Sequence, residues 1–235
     1  MLEAFVTNLG RYNEGCLDGE FLKLPATTED VQALLKRIHV DGVRYEEIFI
    51  TDYETDVSGL YDCLGEYESI DELNYLASLL DDMDAGEQAK FEAALSYGDY
   101  TGSVKDLINL AQNLDCYEYY PGISDEDDLG RFMIDEMGAM EVPEYLENYI
   151  DYEAYGRDVS LEDSGHFTEG GYIVNNGDSF IEHYNDRDDL PEEYRIFAYP
   201  APEKSIRDTL KQYQQMMDTA PTPAKDRTAP AHEER

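Results

Sequence analysis

The sign and placement of charge constrain this chain more than any other feature of its sequence. It carries 54 Asp+Glu against 17 Lys+Arg, a formal net charge of −37. A field of that size repels nucleic acid and anionic membrane surfaces, and it opposes folding through self-repulsion. The excess is uneven. Residues 1–190 hold 46 acids and 10 bases, whereas residues 191–235 hold 8 and 7. No Lys or Arg occurs between Arg44 and Lys90, an interval with 14 acids, and residues 115–163 set 16 acids against Arg131 and Arg157 alone. The acids are interleaved with apolar residues and not bunched into a tail, so they decorate folded elements. Salt adaptation would acidify the whole exposed surface, and the near-neutral end of the chain argues against it.

Hydrophobic residues make up 42% of the 235 positions, enough for one extended domain or a few small ones. Residues 2–9 and 45–53 are β-branched and aromatic and read as strands. Residues 28–38 place Val31, Leu34, Leu35 and Ile38 on one helical face. Ser69 with Glu72 forms a capping-box pattern ahead of Leu73, Leu76, Leu79 and Leu80. Asp84 and Ser103 are placed to cap two further helices, the first carrying Phe91, Ala94 and Leu95, the second Val104, Leu107, Ile108 and Ala111. Residues 129–138 read as a helix stopped at Gly138, and Pro143 opens another through 150. Residues 171–184 read as a hairpin turning at Asn176-Gly177. Ile206, Leu210, Tyr213 and Met217 share a helical face, and residues 219–235 read as disordered. The expected class is α+β: an elongated chain of three small modules. These are an N-terminal sheet with a helix at 1–66, a helical bundle at 67–114, and an α+β module with a hairpin at 115–190. Residues 191–235 are expected to be a dispensable extension with a helix and a flexible end.

Catalytic chemistry finds little support. His39, His166, His183 and His232 have no metal-ligand spacing, and no nucleophile elbow, P-loop or dinucleotide fingerprint occurs. Asp125, Asp127 and Gly130 with Glu136 echo a calcium loop, but Leu129 stands at its fifth ligand position. A calcium-binding acidic protein is therefore kept as an alternative from another class. Cys16, Cys63 and Cys116 are odd in number and far apart, which fits reduced thiols in a cytoplasm. The start of the chain lacks a basic n-region with an apolar stretch, so neither a signal peptide nor a membrane partner is expected.

Three stretches carry a resemblance to a known family. They are Phe5-Val6-Thr7-Asn8-Leu9-Gly10-Arg11-Tyr12-Asn13-Glu14-Gly15, Glu46 through Glu54, and, most specifically, Val142-Pro143-Glu144-Tyr145-Leu146-Glu147-Asn148-Tyr149-Ile150-Asp151-Tyr152-Glu153-Ala154-Tyr155-Gly156-Arg157-Asp158. Over roughly residues 2–184 the chain resembles the ArdA-type antirestriction proteins of plasmids and conjugative transposons. The resemblance implies a homodimer of curved, three-domain chains that imitates bent DNA. Its implied partner is the methyltransferase core of type I restriction–modification enzymes. It further implies a dimer contact near Val142, Leu146, Tyr149, Ile150, Tyr152 and Tyr155.

The charge agrees with that role. At one charge per ~1.7 Å of duplex, a net −36 corresponds to roughly 61 Å, or about 18 base pairs. Carboxylates also share with phosphates a delocalised negative charge and acceptors for forked arginine contacts. Between residues 45 and 89 no base stands nearby in sequence to neutralise them. The expected phosphate-like surface comprises Asp52, Glu54, Glu66, Glu68, Asp71, Glu72, Asp81, Asp82 and Asp84, extended by Asp125, Glu126, Asp127 and Asp128. No cofactor, small-molecule substrate, nucleic acid or catalytic residue is expected. Another DNA-binding or defence protein is the alternative target.

Overall fold

The computed structural model describes residues 1–201, and Met1–Pro200 form one compact unit. The helix expected on Ile206, Leu210, Tyr213 and Met217 and the disordered end lie outside the described residues. The class is α+β, with two three-stranded antiparallel sheets and seven α-helices among the described residues.

The first sheet is ordered β2-β1-β3, from β1 (Leu2–Asn8), β2 (Gly19–Leu24) and β3 (Ile48–Thr55). Strand alternation puts Leu2, Ala4 and Val6 on one face, where they are buried with Leu22, Leu24 and Ile50. Between β1 and β2 runs a short helix, α1 (Leu9–Asn13), whose first turn is capped by the Asn8 side chain. Helix α2 (Thr28–Arg37) covers the inner face with Val31, Leu34 and Leu35. Thr27 and Asp30 start it with a reciprocal capping box, and Lys36 and Arg37 end it in the sense its dipole favours. Register slips by one residue between Phe5 and Val6, a bulge that leaves Thr51 beyond the paired positions.

Helices α3 (Ile70–Asp81), α4 (Ala85–Tyr97) and α5 (Val104–Ala111) follow with short connections. Asp84 and Ser103 cap α4 and α5 as their spacing predicts. Ser69 occupies the N-cap of α3 but makes no side-chain cap bond. Its expected partner Glu72 is engaged elsewhere, accepting from Tyr184 Oη at 2.7 Å. One continuous core runs from the first sheet through α3–α5 to Leu190 and Ile196.

The second sheet is ordered β4-β6-β5, from β4 (Tyr117–Pro121), β5 (His166–Phe167) and β6 (Gly171–Asn175). The expected hairpin is displaced. Its turn lies at 168–170, between β5 and β6, and residues 176–184 form no strand. Two buried asparagines, Asn109 on α5 and Asn113 just after it, take the place of a neighbouring strand. Asn109 accepts from Tyr184 N (3.0 Å) and donates to Tyr184 O (2.7 Å). Asn113 does the same for Ile181, at 2.9 Å each way. Side-chain amides thus pair the backbone of a largely exposed segment, anchored by buried Tyr184, that periodicity alone assigned to a sheet.

Helix α6 (Glu126–Arg131) continues into a π-helical turn at Phe132–Glu136, and Gly138 at φ 67 ends it. The helix expected after Pro143 is only a 3-10 stretch, Glu144–Tyr149. It leads into α7 (Tyr152–Asp163), capped by Asp151. Helices α6 and α7 cross at Gly130 and Gly156. A Cβ on Gly156 would meet the backbone of Glu126 and Gly130, and one on Gly130 the backbone of Tyr152. No helix among the described residues is long and apolar enough to cross a membrane.

Candidate functional surface

Local structure decides which carboxylates face solvent with their oxygens uncommitted. Alternation along β3 puts Asp52 and Glu54 on the sheet face away from α2, both exposed. Glu54 stands directly across from Glu3, a like-charge pairing that costs stability. Glu66 is exposed, while its carbonyl accepts from Ile50 N and holds its segment against β3. Glu68 is half-buried and accepts from Gly65 N at 3.1 Å.

Asp71 and Glu72 serve the fold. Asp71 Oδ1 accepts the backbone N–H groups of Ile196 (2.8 Å) and Phe197 (2.7 Å). Glu72 accepts from Tyr184 Oη and lies 3.5 Å from Arg187 with its side chain only 16% exposed. Together they fasten the last described stretch to α3. Burial and the Glu72 carboxylate push the Tyr184 phenol well above its ordinary range.

Asp81, Asp82 and Asp84 stand exposed at the α3–α4 junction. Asp84 caps α4 with bonds to Gly86 N and Glu87 N. Asp81 and Asp82 sit at the C-terminal end of α3, where the helix dipole disfavours anions, and its last turn holds no base. Natural sequences break such local rules chiefly where function asks for it.

The acids of the calcium-like loop are spent locally. Asp125 caps α6 through Asp128 N, Asp127 pairs with Arg131 at 2.7 Å, and Asp128 accepts from Ser124 Oγ and N. Those Ser124 bonds hold the Asp128 carboxyl below its usual range. Glu126 is half-buried in the first turn of α6. Among the described residues no group of three or more His, Cys, Asp or Glu is arranged to hold a metal ion.

The six residues expected at a dimer contact divide into three groups by exposure. Tyr149 (82% exposed) and Leu146 (38%) face solvent, as do Met137, Met140 and Tyr145. Val142, Ile150 and Tyr155 are half-buried. Tyr152 is buried, its ring beneath the Arg131 guanidinium at 4.3 Å. It seals α6 against α7 within one chain, a role that spacing along a signature run does not reveal.

The family model for ArdA, antirestriction protein, matches residues 4–174. The chain belongs to the ArdA antirestriction family. The match spans both sheets and all seven helices from β1 to β6, and it stops before the stretch that Asp71 and Glu72 fasten. No curated protein matches the chain. As an ArdA member it falls among the antirestriction proteins.

Sequence reasoning missed one group on this surface. Tyr12 and Tyr67 both pack on Phe49, at ring-centroid separations of 5.1 and 6.2 Å. Tyr12 belongs to α1 and Tyr67 follows β3, so their meeting on Phe49 emerges only once α1 and the segment after β3 are packed on that strand.

Proposed function

We propose that this protein inhibits type I restriction–modification enzymes as a DNA mimic, its exposed carboxylates occupying the groove that holds phosphates. One observation supports this above the rest: residues 45–89 contain no Lys or Arg, yet fold into a sheet edge and two helices that carry exposed acids. Asp81 and Asp82 hold these charges against a helix dipole, so the charge does not serve stability. Asp52, Glu54, Glu66, Asp81, Asp82 and Asp84 form the solvent-facing part of this surface, and Glu68 and Asp125–Asp128 extend it. Asp71 and Glu72 position the chain beneath it. The exposed apolar side chains of Tyr145, Leu146 and Tyr149, which follow one another along a single 3-10 stretch, suit pairing with a second copy of the chain in a cytoplasm.

A competition assay tests this reading. The purified protein should displace a DNA duplex from a type I methyltransferase at low salt and lose potency as salt rises. Failure to displace DNA at micromolar protein would remove this target. Displacement from an unrelated DNA-binding protein instead would favour a different member of the same class of targets.

A further inference from the structure

The outer face of the first sheet is partly covered among the described residues: Thr7 and Phe49 are buried, whereas Asp52 and Glu54 are exposed. Its inner face is packed under α2, while the outer positions of β1 and β2 carry Phe5 and Phe21, both half-buried, with rings 4.8 Å apart and edge to face. Gly19 makes room for the Phe5 ring, since a Cβ there would collide with it. Beside them Phe49 is packed against Tyr12 and Tyr67, which are 46% and 71% exposed. Carboxylates border the rings. Asp52 stands across from Phe5 and accepts from Tyr61 Oη at 3.3 Å, Glu54 stands across from Glu3, and Glu66 precedes Tyr67. Lys23, across from Glu3, is the base that β2 places on this face.

Open aromatic planes beside unneutralised carboxylates match one side chain better than any other. A guanidinium is planar, weakly hydrated and able to stack on a ring while its N–H fork meets a carboxylate. A lysine ammonium is a compact, strongly hydrated charge and gains less from the ring. The molecule uses the combination internally. Arg131 lies over Tyr152 at 4.3 Å while donating to Asp127 at 2.7 Å, and Arg44 lies over Tyr45 at 4.9 Å beside Glu14 at 3.7 Å. We propose that the outer face of the first sheet docks arginine side chains of a protein partner, with Tyr12 and Tyr67 stacking the guanidinium planes and Asp52, Glu54 and Glu66 accepting their N–H groups. This rests on the acidic surface being one that binds a protein, and it adds that the surface selects arginine over lysine.

The test uses full-length protein titrated with oligoarginine and oligolysine peptides of equal length. Bulk acidity predicts equal binding; the proposed face predicts about tenfold tighter binding of the arginine peptide, from two stacked rings. A Tyr12→Leu/Tyr67→Leu variant, which keeps apolar cover over Phe49, should lose that preference, and Tyr12→Phe/Tyr67→Phe should keep it. Ring-proton NMR of the unmodified protein should show Tyr12, Phe49 and Tyr67 shifting with the arginine peptide and far less with the lysine peptide. That measurement decides the matter if the leucine variant fails to fold. Equal affinities, a preference that survives the leucine variant, or unmoved ring signals would overturn the proposal. So would ring signals that shift on deleting residues 202–235, because the chain's own end would then be the occupant. Loss of DNA displacement with an intact arginine preference would count against the proposed function alone.

Discussion

Replacing Gly156 with alanine isolates the contact on which the helical part of the second sheet's module depends. A Cβ at this position would lie 2.7 Å from Gly130 N and 2.9 Å from the Glu126 carbonyl carbon, and closer still to its oxygen, against 3.4 Å for ordinary contact. Every one of these neighbours is backbone, so no side chain can swing aside. Helices α6 and α7 must part by about 1 Å or more, and overpacking of this kind costs roughly 3 kcal/mol where the surroundings cannot yield. Alanine returns about 1 kcal/mol of helix propensity. The net is about 2 kcal/mol of destabilisation, a fall in melting temperature of roughly 4–8 °C for a unit of this size. Thermal unfolding followed by far-UV circular dichroism measures it, with DNA displacement from a methyltransferase in parallel. If Gly156→Ala raised the melting temperature, as a substitution at a solvent-facing helical glycine does, the close crossing of α6 and α7 would be refuted.

Three further outcomes are expected. Ending the chain after Pro200 should leave stability unchanged in urea titrations. Ending it after Leu190 removes buried Ile196 and the two donors to Asp71, and should cost at least ~2 kcal/mol. Asp81→Asn with Asp82→Asn should stabilise the protein by about 0.3–1 kcal/mol per site through the α3 dipole while weakening DNA displacement; a loss of stability would contradict the reading that these charges oppose the fold. Burial, assisted at Tyr172 by Asp163 and at Tyr184 by Glu72, raises the phenol pKa of both in the folded state. Their contribution is therefore complete below the unfolded phenol value of about 10 and is lost as pH rises above it. Tyrosinate absorbance should show a fraction of the twenty tyrosines ionising only together with alkaline unfolding. Ionisation of all of them near pH 10 in a still-folded protein would rule this out.

Local physical chemistry made much of the architecture legible. Helix α2 followed from Val31, Leu34 and Leu35 at helical spacing, and α4 and α5 from Asp84 and Ser103, because caps and apolar periodicity act over a few residues. The family was also legible, since the run from Val142 to Asp158 is continuous in sequence. Tertiary contacts decided the rest. Glu72 left its capping box for Tyr184, 112 residues away, and Asn109 and Asn113 took over a segment that had the pattern of a strand. Net charge and the absence of bases between Arg44 and Lys90 are properties of the sequence alone. Which carboxylates remain free is not: Asp71 and Asp81 both belong to α3, and only the chain that returns across α3 commits one to backbone N–H groups while leaving the other in water. Hydrogen bonds between residues more than a hundred positions apart leave no trace in spacing, because they form only after the core has brought the two segments together.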